Sequence, residues 1–234
     1  MYTYETRVTT SCTDWTGTQT LLSTVTLMQD CSMLWMDDMP KLRAWLSEEG
    51  AAMMVASREV FVRRRPAYGE KLTVKTWIYD FRGPMGYRNT CIFDEAGDAV
   101  ATCWAVGVFV RFSDNKMLRL PQDVIDEALT EKRFDMEYGK RKIKLPDAEP
   151  RKLPAMKVQR SDIDFNGHEN NAQYVRMAYE FLPKDVDPRH LRIVHEGQAK
   201  LGDTVVPLLY EDDERRVFEL RGDDGRLFAT IEFS

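Results

Sequence analysis

Leu21, Val25, Met28, Ser32 and Trp35 recur at three- to four-residue intervals, the period of one face of an α-helix, and Asn170, Tyr174, Met177 and Phe181 repeat that spacing later in the chain. After the first helical stretch come runs rich in Val, Ile, Thr, Trp and Tyr at about 51–65, 70–82, 86–94 and 99–112, broken at Gly69, Gly83-Pro84 and Glu95-Ala96-Gly97. After the second come runs at about 190–200, 203–211, 215–221 and 226–233, broken at Gly202, Asp212-Asp213 and Asp223-Asp224-Gly225. The pattern predicts a helix followed by an antiparallel meander, twice, in an α+β chain.

The two halves read as diverged copies. Tyr68-Gly69-Glu70 matches Leu201-Gly202-Asp203, and the turn at Gly97 before Val100-Ala101-Thr102 matches the turn at Gly225 before Phe228-Ala229-Thr230. Ahead of each helix the same frame recurs at a shift of 150: Asp14-Trp15-Thr16-Gly17-Thr18 and Asp164-Phe165-Asn166-Gly167-His168. Asn166 and His168 exist in the second copy alone, which points to a pseudo-dimer with a single active site.

Composition narrows the classes. The 43% apolar content of 234 residues supplies a substantial core, and the longest apolar run, Cys103 to Val110, is far short of the roughly 20 residues that span a bilayer. No signal pattern opens the chain, so a cytoplasmic setting with reduced thiols at Cys12, Cys31, Cys91 and Cys103 is expected. A net charge of −5 argues against nucleic acid as a partner. Its distribution is uneven: Lys132 to Arg160 holds ten basic and four acidic residues, a local +6, leaving −11 for the rest. With Pro146, Pro150 and Pro154 and no periodicity, 132–153 reads as a linker between an N-terminal domain at 1–131 and a C-terminal domain at 154–234.

The Asp164–His168 segment concentrates the chemistry. A hydrolytic site needs an activated water or nucleophile, a proton carrier and oxyanion donors, and a carboxylate, an amide and an imidazole at alternate positions meet those needs. In an extended segment Asp164, Asn166 and His168 share a face. Asn170 or Asn171 then starts a helix whose free amides and positive dipole end suit an oxyanion. Asp164 is the candidate base or direct nucleophile, with Asn166 and His168 as positioning or proton-handling groups. His190 reads as solvated surface and His195 as a structural strand residue. No Gly-x-Ser-x-Gly elbow, nucleotide loop, His-Glu-x-x-His or clustered Cys/His set is present, so neither cofactor nor metal is expected.

Asp164-x-Asn166-x-His168-x-Asn170-Asn171-x-x-Tyr174 resembles the signature of the acyl-acyl carrier protein (acyl-ACP) thioesterases of plants and bacteria. Leu27-Met28-Gln29-Asp30, Pro66-x-x-Gly69-x-x-Leu72-x-Val74-x-Thr76-Trp77, Gly83, Arg88 and Arg119-Leu120-Pro121 extend the resemblance over nearly the whole chain. It implies a double hot-dog fold, two tandem copies of a long helix wrapped by a curled antiparallel β-sheet, with the acyl chain bound by the N-terminal copy. The implied reaction releases a free fatty acid from its acyl carrier protein. Acyl-CoA hydrolysis, or an idle acyl-binding protein, remain the alternatives, and association of two chains is left open.

Two departures from the family pattern stand out. Members carry a Glu on the strand before the Gly-Asp turn, followed in plants by a Cys. Here that strand reads His195-Glu196-Gly197-Gln198-Ala199-Lys200, which places Gln198 at the Glu position, with Glu196 as the same-face alternative, and has no cysteine. The resemblance also gives meaning to two surfaces. Met28, Trp35, Met36 and Met53 are candidates to line an alkyl chain as well as to fill the core, methionine being unbranched and adaptable. Lys140, Arg141, Lys142 and Lys144 are candidates to dock an acidic carrier.

Overall fold

The computed structural model describes residues 1–164 and 167–234. The chain divides into two units, Met1–Tyr138 and Gly139–Ser234. No helix among the described residues is long and apolar enough to cross a membrane.

In the first unit, β1 (Tyr2–Arg7), β2 (Ala51–Val62), β3 (Lys71–Arg82), β4 (Met85–Phe93) and β5 (Ala99–Arg111) form an antiparallel sheet in the order β1-β3-β4-β5-β2. The long helix α1 (Leu21–Asp37) lies against the face carrying Ile78 and Phe109 and buries Leu21, Val25, Met28, Cys31 and Trp35. Thr20 caps it, its hydroxyl accepting the Ser23 N–H at 3.0 Å. Two shorter helices, α2 (Pro40–Glu49) and α3 (Gln122–Ala128), close the end of the core where Trp35, Leu42, Leu118, Leu120 and Val124 meet. Neither they nor β1 stand out in the sequence pattern. β1 is an edge strand with alternating half-buried and exposed residues, and the helices are too short for a clear period.

The second unit repeats the plan in reduced form. Two short strands, β6 (Arg151–Lys152) and β7 (Met156–Lys157), precede α4 (Asn171–Tyr179); β8 (His190–His195), β9 (Thr204–Glu211), β10 (Arg216–Gly222) and β11 (Leu227–Phe233) follow it. The order is β8-β11-β10-β9, with β6 and β7 both on the outer edge of β9. α4 buries Ala172, Tyr174, Val175, Met177 and Ala178 over Phe218, Phe228 and Ile231. Each unit therefore has the hot-dog arrangement of a helix held against a curled antiparallel sheet.

The segment expected as a linker, 132–153, is bound at its start and end. In the first unit Trp77 donates to the Lys132 carbonyl (2.9 Å), while the Phe134 amide and the Tyr138 hydroxyl donate to Asn89 Oδ1 (3.0 and 2.9 Å). In the second, Arg192 donates to the carbonyls of Lys140 and Lys142 and Arg215 to that of Lys144, with Ile143 buried between them. The backbone carbonyls of a basic stretch thus find arginine donors anchored by Glu232 (2.9 Å to Arg192, 2.7 Å to Arg215).

Candidate active site

Three backbone hydrogen bonds around the loop before α4 recur in the first unit. In the second unit Asp164 N–H donates to His168 O (2.9 Å), Gly167 N–H to Asp164 O (3.0 Å) and Asn170 N–H to Asp162 O (2.8 Å). The first unit has Asp14 to Thr18 (3.1 Å), Gly17 to Asp14 (3.0 Å) and Thr20 to Cys12 (2.9 Å). Gly17 and Gly167 have φ of +75° and +77°, the left-handed backbone that glycine adopts without penalty. The chain thus turns back on itself between Asp164 and Gly167, inside the bridge Ile163↔Glu169. Asp164 and His168 face each other across that turn instead of alternating along a strand, and opposed residues of an antiparallel pair share a face. Asn166 lies outside the described residues.

The copies then diverge in how the loop is held. In the first, Asp14 accepts from the Thr16 amide (2.8 Å) and hydroxyl (2.5 Å) and lies 3.6 Å from Arg65. Burial works against its ionisation, but the Thr16 bonds and Arg65 outweigh it and hold the carboxyl below its ordinary range. Tyr68 N–H also ties Gly17 O down at 2.9 Å, and Thr18 bridges Ala67. The corresponding Leu201–Gly167 bond is absent among the described residues of the second copy, which keeps the other tie common to both loops, Glu169 N–H to Ala199 O (3.0 Å) matching Gln19 N–H to Pro66 O (2.8 Å).

The strand that faces the loop is also duplicated, at a shift of 133. Arg63 and Arg64 N–H both donate to Val100 O (2.9 and 3.4 Å), and Glu196 and Gly197 N–H both donate to Phe228 O (2.8 and 3.0 Å). This double donation is a β-bulge and ends β8 at His195, short of the expected 200. A Cβ on Gly197 would lie 2.8 Å from Leu227 O, so the backbones approach too closely there for a larger residue. The bulge interrupts the alternation on which Glu196 and Gln198 would share a face. Glu196 lines a recess with Lys142, Lys144, Val194 and Glu219. Gln198 occupies the position equivalent to Arg65, the residue beside Asp14.

At the start of α4 the Asn170 side chain accepts the Ala172 N–H at 2.9 Å, and its carbonyl accepts the Gln173 N–H at 2.8 Å. With Asn170 N–H given to Asp162, three of the expected oxyanion donors are already committed, and among the described residues the Asn171 amide is the one left in this turn. Asp162 is held by Arg176 (3.0 Å) and by the Gln159 N–H (2.8 Å). Beneath the loop lies a residue the sequence pattern did not single out. Glu169 is 4% exposed, with neither carboxylate oxygen hydrogen-bonded among the described residues. Burial pushes its carboxyl up to about 8, Asp162 adding to the shift and Arg176 opposing it. The repeat register was the available signal, since it pairs Glu169 with Gln19, which is also buried.

The remaining candidates are scattered. Met28 and Trp35 are fully buried on the inner face of α1, Met36 packs partly buried against the same core, and Met53 on β2 sits over Gly107. That interior is not purely apolar. Arg88 stacks 4.1 Å over the Trp35 ring and donates to Thr76 (3.0 Å), burial lowering its guanidinium to about 9. Lys140, Arg141, Lys142 and Lys144 are exposed on the anchored, irregular stretch of linker. The cysteines are free thiols in the first unit, and burial is the leading cause that raises Cys31 and Cys91 to about 12 and Cys103 to about 11. His190 bonds Ser234 (3.0 Å), and His195 packs edge-on against Tyr174.

Comparison with known proteins gives a consistent result. Residues 1–128 match the acyl-ACP thioesterase N-terminal domain and residues 147–226 the acyl-ACP thioesterase C-terminal domain. The chain is 25% identical over 153 residues to oleoyl-acyl carrier protein thioesterase 1 of Arabidopsis thaliana, covering 60% of this chain and 42% of that protein. It is 24% identical over 196 residues to the oleoyl-acyl carrier protein thioesterase of Coriandrum sativum, covering 76% and 53%. The matched region therefore spans about half the length of these relatives. An acyl-ACP thioesterase structure from Bacteroides thetaiotaomicron superimposes with a TM-score of 0.89 at 18% identity, covering 99% of this chain and 96% of that one. The 12:0-ACP thioesterase from Umbellularia californica gives 0.87 at 16% identity, covering 100% and 96%.

Proposed function

Because this chain belongs to the acyl-ACP thioesterase family, we propose that it hydrolyses the thioester of fatty acyl-ACP, releasing a free fatty acid and ending chain elongation. The observation that carries the reading is the asymmetry of the duplicated loop. One backbone frame recurs in both copies, but only the second copy combines a carboxylate with an imidazole across the turn, and among the described residues its loop has no counterpart of the bond that ties the first copy down.

In the proposed reaction Asp164 accepts a proton from water as the water oxygen attacks the thioester carbonyl. The carbonyl electron pair moves onto oxygen, where the Asn171 amide and the positive end of α4 stabilise it. Collapse of the tetrahedral intermediate breaks the carbon–sulfur bond. The proton taken by Asp164 returns through His168 to the departing sulfur, so water, acid and thiol balance. Gln198 orients the water, and as an amide it cannot take the proton, which leaves that task to Asp164. Asn166 is proposed to position the thioester. The first unit, taken as 1–131, offers the acyl-accepting interior with Met28, Trp35, Met36 and Met53. The second, 154–234, carries the chemistry, and the basic 132–153 segment joins them and docks the carrier. The setting is taken as cytoplasmic, with no cofactor.

The test is turnover of palmitoyl, medium-chain and short-chain thioesters on both acyl carrier protein and CoA, read by thiol release. His168→Ala is expected to lower kcat on the order of 100-fold, while Asp14→Ala lowers it little. Faster turnover on CoA than on the carrier protein would favour an acyl-CoA thioesterase. No release from either carrier would mean an acyl-binding protein. Equal damage from Asp14→Ala and Asp164→Ala would sink the single-site reading.

A further inference from the structure

Glu169 takes no part in the reaction as drawn, yet it follows His168 directly and its carboxyl is buried. Its backbone is clamped: its N–H donates to Ala199 O (3.0 Å), it bridges Ile163, and the next N–H, of Asn170, donates to Asp162 O (2.8 Å). The side chain is thus held under the loop, where it lacks a hydrogen-bond partner among the described residues.

We propose that Glu169 is a positioning residue for His168, which as a neutral acid seats His168 opposite Asp164 and as a carboxylate unseats it. The catalytic part of this proposal rests on the thioesterase reading above.

Three charged groups and one phenol surround it: Asp162 from the turn before the loop, Arg176 and Tyr174 from α4, and Asp203 from the turn before β9. Arg176 is given to Asp162 at 3.0 Å, and Asp203 has Arg226 at 3.7 Å. These cations already answer other carboxylates, and an ionised Glu169 would face two anions with no cation of its own among the described residues. A buried charge so placed is costly and is relieved by neutralisation or by movement. The balance of burial and Asp162 repulsion against Arg176 sets its titration at about 8.

The first copy supplies the control. Gln19 holds the same place, 1% exposed, with its N–H on Pro66 O (2.8 Å) and the next N–H on Cys12 O (2.9 Å). A glutamine amide is neutral at every pH, and a protonated glutamic acid has nearly its shape. The scaffold therefore tolerates a neutral polar group at this position. Glu169 fits it only with its proton on.

The test uses the full chain and follows kcat and KM for acyl-ACP hydrolysis from pH 6 to 9.5, corrected for spontaneous hydrolysis. The parent's kcat is expected to fall through about pH 8 by up to roughly tenfold per pH unit, with KM little changed. Glu169→Ala should lower kcat already at pH 6.5. Glu169→Gln should restore it there and remove the alkaline fall below pH 9. An unchanged alkaline fall in Glu169→Gln overturns the proposal, and so does a Glu169→Gln variant as slow as Glu169→Ala at pH 6.5, since the acid itself would then be required. Thermal unfolding without substrate is the second measurement. The Tm of Glu169→Gln should exceed the parent's by a margin that grows from pH 5 to 8 and then levels, because the unfolded chain has lost this proton over that range while the folded one retains it. A margin independent of pH overturns the buried-acid assignment. If the parent releases no thiol from any acyl thioester, the thioesterase reading fails, and the Tm series still decides whether Glu169 is a buried neutral acid.

Discussion

Alanine at Gly167, matched by alanine at Gly17, separates what the loop does for folding from what it does for catalysis. The two glycines have φ of +77° and +75°, and a Cβ at either would meet nothing within 4 Å, so neither change creates a clash. The cost is backbone strain of about 1–2 kcal/mol for an L-residue in left-handed conformation. Against it stands a gain of about 0.4–1 kcal/mol from the stiffer unfolded chain. The net is about 1 kcal/mol for each, or a fall of about 2–4 °C in Tm for a chain of this size. Catalysis should not be matched. Relief of the strain rotates φ toward negative values at the expense of the 3.0 Å bond from Gly167 N–H to Asp164 O, and that rotation displaces His168 relative to Asp164. A displacement on the order of 1 Å costs about 100-fold in rate. The assay pairs Tm by scanning calorimetry with kcat/KM for acyl-ACP, on Gly17→Ala, Gly167→Ala and the double variant. Similar losses of Tm with a rate loss confined to Gly167→Ala are expected. Equal rate losses, or a rate loss that follows Tm whichever glycine is changed, would refute the inference that only the second loop does chemistry.

Two further outcomes follow from the placement of the other candidates. Replacing all four cysteines by serine should leave kcat within about twofold while Tm falls, because Cys31, Cys91 and Cys103 are buried with raised thiol pKa values and no cysteine lies in the second unit; loss of kcat in a folded quadruple variant would contradict the site assignment. Reversing Lys140, Arg141, Lys142 and Lys144 to Glu should raise KM for acyl-ACP and flatten its salt dependence without altering turnover of a small thioester. The carbonyls of Lys140, Lys142 and Lys144 keep their arginine donors in that variant, so an equal loss on both substrates would show that the side chains support the fold.

Much of this architecture was legible because it is written in short-range signals. A 3.6-residue period under α1 and α4, β-rich runs between turn residues, and a five-residue frame repeated at a shift of 150 all survive in one dimension. They suffice for two helix-then-meander copies and for the loop that bears Asp164 and His168. The short helices α2 and α3 and the edge strand β1 escaped because each owes its place to partners distant in sequence. β1, for instance, pairs Tyr2 with Thr76 and Arg7 with Lys71.

The candidate site divides along the same line. Local chain chemistry determined that a carboxylate and an imidazole flank one glycine turn, and that the cysteines belong to the other copy. Tertiary structure decided which groups they meet. The bulge at Glu196 and Gly197 depends on Phe228, a carbonyl more than thirty residues away, and it interrupts the alternation that would put Gln198 on the face of Glu196. The arginines that anchor the basic segment come from β8 and from the turn before β10, about fifty and seventy residues on. The burial of Glu169 follows from the packing of α4, Asp162 and the Ala199 turn around it. Periodicity reports which way a side chain points relative to its neighbours in the chain. Desolvation, and with it the proton carried by Glu169, depends on everything that closes over it in space.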